Sequence, residues 1–500
     1  MSGLVISAIA RLAAERPAAV ALRDAASSLS YFELHARVQV LAGELRAGRT
    51  RILGLLADNG IVWAVADLAA LAAGIVCVPL PAFFSQEQLL HAIRDSGMDL
   101  LLTDQPQRVA ALPGRRGEYC PSRKMEGLTT FRIPPGRRAA LAPNTAKITY
   151  TSGTTGQPKG VCLSRQSMEA VAQSLRSASA ARESDCHLCL LPLATLLENI
   201  GGLYVPLMAG AASCVLPLAQ LGLKGACGFE IQEMLKALRE QRPSSVILVP
   251  QMLQGLMHAC AKGACPPTSL RFIAVGGAPV SERLLQEAEH LGLPVYEGYG
   301  LSECASVVAM NAPGICRPGS VGKPLPHVQL RFARDGEILV RGANFEGYLG
   351  LCETPDRDGY WPTGDTGYLD DDGYLHLTGR KKEMFITSFG RNVAPEWVER
   401  ELTIQPAIVH AAVFGEARPW NVALIVPRGE RGGACERAIA AAVAAANKRL
   451  PDYARVRKWL IAEEPFTGHN GQLTANGRLR RAQIWAQYES AIGSLYESPA

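Results

Sequence analysis

The feature that most constrains this chain is its alternation. From the N-terminus to about residue 330, stretches with helical spacing of apolar residues take turns with short apolar runs rich in β-branched residues. FELHARVQVLAGELRAG (32–48) predicts a helix, RILGLLA (51–57) and SSVILVP (244–250) predict strands, and QMLQGLMHACAKG followed by RFIAVGG (271–277) predicts a helix and then a strand. Strands separated by helices of this length imply parallel sheets with helices on both faces, an α/β architecture. After about residue 315 the texture changes to short strands and turns, in GEILVRG (336–342) and LDDDGYLHLTG (369–379). That predicts a small antiparallel or barrel-like β subdomain. From about 380 to 500, AAVFG and VALIVP read as strands and ACERAIAAAVAAANKRL as a helix, enough for a small α+β domain.

Length agrees with this division, since 500 residues exceed what one hydrophobic core serves. A net charge of +5 over that length permits anionic substrates such as nucleotides but makes no case for nucleic acid. The 13 cysteines are scattered and mostly sit in apolar runs, as reduced thiols in a reducing compartment would. Cys186 and Cys189, in CHLC, have no second pair at zinc-site spacing, so a metal site there is not expected. MSGLVISAIARLAAERP has no basic leader region and reads as an amphipathic helix, not a signal peptide. The most apolar stretch, WAVADLAALAAGIVCVPLPAFF (63–84), carries Asp67 and is broken by Gly74 and Pro79. It reads as a buried helix followed by a short strand, not as a membrane span. The expected setting is cytoplasmic, with peripheral membrane contact left open. PPGRRAALAPN (134–144) reads as an exposed basic loop.

The strongest chemical signal is ITYTSGTTGQPKGVCLS (148–164). A strand-like ITYT leads into a run of hydroxyl and glycine residues and then Lys159. Closely spaced glycines let backbone N–H groups approach phosphate oxygens, hydroxyls add donors, and the lysine adds a point charge. A plain turn between two strands is the competing reading. The spacing is not that of a Walker A loop.

This stretch resembles, almost letter for letter, the YTSGTTGxPKG signature of the adenylate-forming superfamily, which includes acyl- and aryl-CoA synthetases. Four further motifs follow in order: GGAPVS (276–281), YEGYGLSE (296–303), WPTGDTGYLDDDGYL (361–375) and GRKKEMFITSFGRNVAPEWVE (379–399). The resemblance implies two steps. A carboxylate attacks the α-phosphorus of ATP, giving an acyl-adenylate and pyrophosphate, and a thiol then displaces AMP. It also implies a large N-terminal domain of stacked α/β sheets with a barrel-like subdomain (1–380) and a small mobile C-terminal domain (381–500), hinged near Lys382. Thr151, Ser152, Gly153, Thr154, Thr155, Gly156 and Lys159 would hold the β- and γ-phosphates. Glu303, with Thr151, would hold Mg²⁺. Ser302, where the family has Thr, would meet the α-phosphate. Tyr299 and Gly300 would face the adenine, with Gly276, Gly277 and Ala278 forming the slot beside it; core packing competes for Tyr299. Asp365 would take the ribose hydroxyls and Arg380 the ribose or α-phosphate. Gly390 would line the thiol's approach, where a side chain would obstruct pantetheine. Arg391 fits a phosphate contact or a solvated charge equally well.

The element LLPLATLLENIGGLYVPLMAGA (190–211) departs from the family's usual PLxH, with Thr195 in the histidine position. Its continuation is similar to the long-chain fatty acyl-CoA synthetase branch. Gly201 and Gly202 would leave room for a chain, or would serve helix packing. The expected substrate is an apolar, fatty carboxylic acid; the acceptor is CoA or the phosphopantetheine of an acyl carrier protein. The alternatives are a ligase that delivers its adenylate to a carrier protein alone, and an ATP-binding regulatory homologue with weak ligase activity. The second departure lies in LTANGRLRR (473–481). Arg478 occupies the place of the family's adenylation lysine, and the last lysine of the chain is Lys458. Arg478 keeps the charge but not the compact shape, so slower adenylation is expected, with Arg478→Lys raising it. Arg480 and Arg481 read as solvated or phosphate-facing charges.

Overall fold

The computed structural model describes every residue except 1–2, 114–120, 135–140, 152–157, 225–227, 265, 279, 281, 352–354, 382, 389–390, 430, 475–476 and 498–500. Two sheets dominate the first 350 residues. One has nine strands; its central order is Val295–Tyr299, Phe272–Val275, Ser245–Leu248, Cys186–Leu188, Ala212–Cys214, Val20–Arg23. The other has eight, centred on Thr145–Thr151, Val76–Pro79, Ile52–Leu56 and Leu100–Thr103. Both are parallel at the centre, as the alternation predicts, and antiparallel towards their edges.

Helices form where the periodicity predicts them. Leu4–Glu15 buries Val5, Ile6, Ile9 and Leu12 along one stripe. Tyr31–Ala47 starts on a capping box, in which the Ser30 hydroxyl accepts from Glu33 N–H and the Glu33 carboxylate accepts from Ser30 N–H. The apolar stretch around Asp67 is the helix Ile61–Ala73, buried between the sheets and closed by Gly74 in the left-handed region. Among the described residues, no helix is long and apolar enough to cross a membrane.

Asp67 sits at 1% exposure because it is paired. Lys147 Nζ donates to its Oδ1 at 2.7 Å, and the Tyr204 hydroxyl and Asn199 Nδ2 donate to its Oδ2 at 2.7 and 3.1 Å. Lys147 also donates to Asn199 Oδ1 and to the Tyr204 hydroxyl. Burial, then the Asp67 charge, pushes the Tyr204 phenol well up. This dry network ties the eight-stranded sheet to the π-helical turn Asn199–Tyr204, which covers the nine-stranded sheet.

The change of texture after residue 315 is a four-stranded antiparallel sheet, Gln329–Phe332, Glu337–Arg341, Trp361–Leu369 and Leu375–Arg380. Beyond Arg380 lie two further apolar clusters that share the sheet Ile408–Phe414, Asn421–Pro427 and Val456–Ile461, one with helices Pro395–Thr403 and Gly433–Asn447 and the other with Arg481–Ser494. The nine described cysteines are all free.

Candidate active site

The carboxyl ends of the parallel strands open onto one cavity of about 2570 Å³. That exceeds the ~300–1,000 Å³ of a single small-molecule site, leaving room for more than one reactant. Three side-chain groups ring it.

The first comes from the antiparallel pair Thr145–Thr151 and Lys159–Ser164, where Thr151 lies opposite Lys159. The connecting residues Ser152, Gly153, Thr154, Thr155 and Gly156 lie outside the described residues. Lys159 Nζ stands 4.9 Å over the Tyr348 ring, and the Tyr348 hydroxyl donates to Glu303 Oε1 at 2.6 Å. Lysine, tyrosine and glutamate thus form one chain from three elements. Thr151, Lys159, Ser302, Glu303 and Tyr348 all line the cavity. Tyr348 was missed from sequence because nothing in GYLG distinguishes it from a core aromatic.

The second group is built on adjacent strands that place Asp365 opposite Arg380. Arg380 Nε contacts Asp365 Oδ1 at 2.9 Å and the Tyr299 hydroxyl donates to Oδ2 at 2.8 Å. Tyr299 and Arg380 line the cavity, whereas Asp365, at 6% exposure, stands outside its lining. Burial, then the Asp365 charge, holds the Tyr299 phenol well above its usual range.

The third group crosses from the C-terminal domain. Leu473 bridges Leu479, Thr474 N–H donates to the Arg478 carbonyl at 2.7 Å, and Gly477 adopts φ 73°, a left-handed turn. The turn projects Arg478 so that its Nε–H and Nη2–H both donate to the Gly277 carbonyl, at 3.0 and 2.8 Å. Arg478 therefore reaches the end of the strand Phe272–Val275. Burial, then the like charge of Arg380, presses its pKa down. Gly277, at φ 85°, holds a conformation that strains any other residue. Ala278 lies beside the main cavity, on a smaller interdomain one of about 150 Å³.

Behind Arg478 stands an ionic cluster that the sequence reading placed differently. Arg481 is not a solvated charge: it is paired with Glu399, and its Nη2 lies 3.3 Å from Glu383. The Glu399 carboxylate also accepts Val413 N–H at 2.7 Å. Burial, then the like charge of Glu383, pushes the Glu396 carboxyl up. Lys382 and Gly390 lie outside the described residues.

Thr195 lines the cavity, its hydroxyl donating to the Pro192 carbonyl at 2.6 Å. Gly201 and Gly202 differ in role. A Cβ on Gly201 would come within 2.7 Å of Ile247 Cδ1 over the cavity floor, whereas one on Gly202 would meet Glu198 Oε1 at 2.1 Å and His187 Nε2 at 2.9 Å. Gly202 thus houses a buried His–Glu pair and does not widen a chain's path. His187, Cys189 and Glu198 are, among the described residues, the one group close enough to share an ion. The direct 2.9 Å hydrogen bond between His187 Nε2 and Glu198 leaves no ion's place between them.

Comparison with known proteins fits this geometry. Residues 9–349 match the family model for the AMP-binding enzyme, and residues 382–500 match that for the AMP-binding enzyme C-terminal domain. Among curated relatives, a long-chain-fatty-acid–CoA ligase of Mycobacterium bovis is 28% identical over 91% of each chain. A 2-succinylbenzoate–CoA ligase of Bacillus cereus is 29% identical over 80% of this chain and 83% of its own. Among solved structures, an anthranilate CoA ligase in complex with anthranoyl-AMP superposes with TM-score 0.81 at 19% identity, over 98% of both chains. The O-succinylbenzoate coenzyme A synthetase of Bacillus subtilis, in complex with ATP and magnesium ion, superposes with TM-score 0.75 at 25% identity, over 95% of this chain and 98% of that one.

Proposed function

The chain belongs to the AMP-binding enzyme family, whose relatives named above are acid–CoA ligases, and we propose that it activates a fatty carboxylic acid with ATP and passes the acyl group to a thiol. The observation that carries this reading is the fork of Arg478 on the Gly277 carbonyl. It brings a cation of the C-terminal domain to the rim of the cavity that Lys159, Glu303 and Arg380 also line.

Residue by residue, Thr151 to Gly156 and Lys159 receive the terminal phosphates. Asp365, oriented by Arg380 and Tyr299, receives the ribose hydroxyls. Gly277 and Tyr299 form the wall for adenine, with Gly300 beside them and Ser302 near the α-phosphate. Arg478 stabilises charge as the carboxylate oxygen bonds to phosphorus and the bond to pyrophosphate breaks. The donor set fits magnesium: Glu303 and Thr151 are hard oxygen donors on the cavity wall and would hold it, and the ion would supply neutralisation of the triphosphate. Residues 1–380 and 381–500 act as two domains hinged near Lys382, and Gly390 borders the thiol's path in the second step.

The wall from Thr195 to Val249 is mainly apolar, which supports a fatty acid as substrate. CoA is the favoured acceptor and carrier-protein phosphopantetheine the alternative. The test is thioester formation from ATP and a panel of fatty and aromatic acids, with CoA and with a pantetheinylated carrier protein offered separately. Fatty acyl-CoA formation supports the reading. ATP binding with no thioester from any acid and either acceptor overturns it.

A further inference from the structure

The floor of the cavity is one face of the nine-stranded sheet, and the strand registers order it row by row. Val249 and Gly276 lie at the reactive end, Ile247 pairs with Ala274 behind them, and Ser245 pairs with both Phe272 and His187 in the last row. Ala274 has strands on both sides yet is only half-buried, so open space runs beneath the covering turn. Gly201 keeps that space open over Ile247. From Val249 to Ser245 is four residues of strand, about 13 Å at ~3.3 Å per residue.

Beside Phe272, the last row brings Ser245 and His187 to the cavity wall, which also carries Asp185 and Arg271 at that end. Ser245 is half-buried and lines the cavity, and its Oγ lies 2.9 Å from His187 Nδ1. His187 Nε2 lies 2.9 Å from Glu198 Oε1, and Glu198 Oε2 accepts Leu191 N–H at 3.0 Å. His187 and Glu198 are buried, at 4% and 0% exposure. The carboxylate holds the ring through Nε2, and Nδ1 shares a hydrogen bond with the Ser245 hydroxyl that fixes its place. Ser245 lines the cavity in the row of Phe272, and its anchored hydroxyl oxygen has lone-pair capacity for one further partner.

We propose that Ser245, held by His187 and Glu198, is a specificity-determining contact that binds a hydroxyl carried on the distal part of the acid's chain. The inference rests on the cavity being the acid site, as proposed above. It names the substrate class as hydroxylated fatty acids in preference to unsubstituted ones. A hydroxyl donating to Ser245 satisfies an acceptor that an alkyl chain would bury unpaired.

The test is kcat/KM for AMP formation with straight-chain acids of graded length, each with and without a terminal hydroxyl, in the wild type, Ser245→Ala and Ser245→Cys. The expected result is a hydroxy-to-plain ratio that peaks at one chain length and falls at least about tenfold in both variants. A general loss of stability would lower both acids together and leave the ratio unmoved. A ratio flat across chain length, or unchanged in either folded variant, overturns the subsite while leaving the ligase reading intact. No turnover of any acid by the wild type overturns both.

Discussion

The guanidinium of Arg478 places two N–H groups on one oxygen, that of Gly277, and an ammonium cannot reproduce that fork. Sequence alone favours a rise in adenylation for Arg478→Lys, because it restores the family's residue; the fork reverses the expected sign. Charge-assisted hydrogen bonds are worth about 1.5–3 kcal/mol, so adenylation in Arg478→Lys should fall roughly tenfold or more. Rapid-quench measurement of pyrophosphate release reads it, and a faster variant would show that the contact is incidental. The thiol-transfer step, started from preformed acyl-adenylate, should change less. Glu303→Ala should lower turnover about a hundredfold if the carboxylate holds the ion that neutralises the triphosphate; unaltered turnover across a magnesium titration would remove it from that role. Glu303 and Arg380, both on the cavity wall, stood out in the sequence because each sits in a short contiguous motif. Tyr348 and Glu399 did not, since their partners lie 45 and 82 residues away in sequence and only folding joins them.

The helix at 32–48 and the strands at 51–57, 244–250 and 271–277 were readable from periodicity, and the break at Gly74 marked the end of Ile61–Ala73. Lys147 was unreadable: a lysine in a strand suggests a solvated edge, yet this one is 2% exposed and neutralised by Asp67. It anchors the turn Asn199–Tyr204, whose π-helical winding no apolar period announces. Removing one member of a buried pair strands the other charge, at a typical cost of 3–5 kcal/mol. Lys147→Met should therefore lose about that much in chemical denaturation, whereas the double change Lys147→Met, Asp67→Leu should recover part of it. A single variant within 1 kcal/mol of wild type would mean that the network does not hold the turn.

Across the whole molecule, Arg478, Arg481 and Arg400 gather at the seam between the large domain and the C-terminal one. Arg400 Nη1 donates to the Val280 carbonyl at 3.3 Å, and its charge acts on Glu297, a buried carboxyl that accepts from Val280 N–H. Burial pushes Glu297 up to about 8, against the lowering pull of Arg400 and of Val280 N–H. Its folded pKa lies above its unfolded one, so its stabilising contribution is complete below about 4.5 and is lost as pH rises through about 8. Glu297→Gln should flatten that dependence and raise Tm relative to wild type at pH 9; parallel Tm profiles would contradict it. The two-domain outline was legible from the change of texture, whereas the seam was not, because its charges read as surface residues until a second domain covers them. The ligase reading as a whole stands on one measurement: pyrophosphate release from ATP and magnesium by the wild-type chain, with and without fatty acids. The account predicts release that requires acid and is followed by AMP release on adding the thiol. ATP bound without acid-dependent pyrophosphate would contradict it.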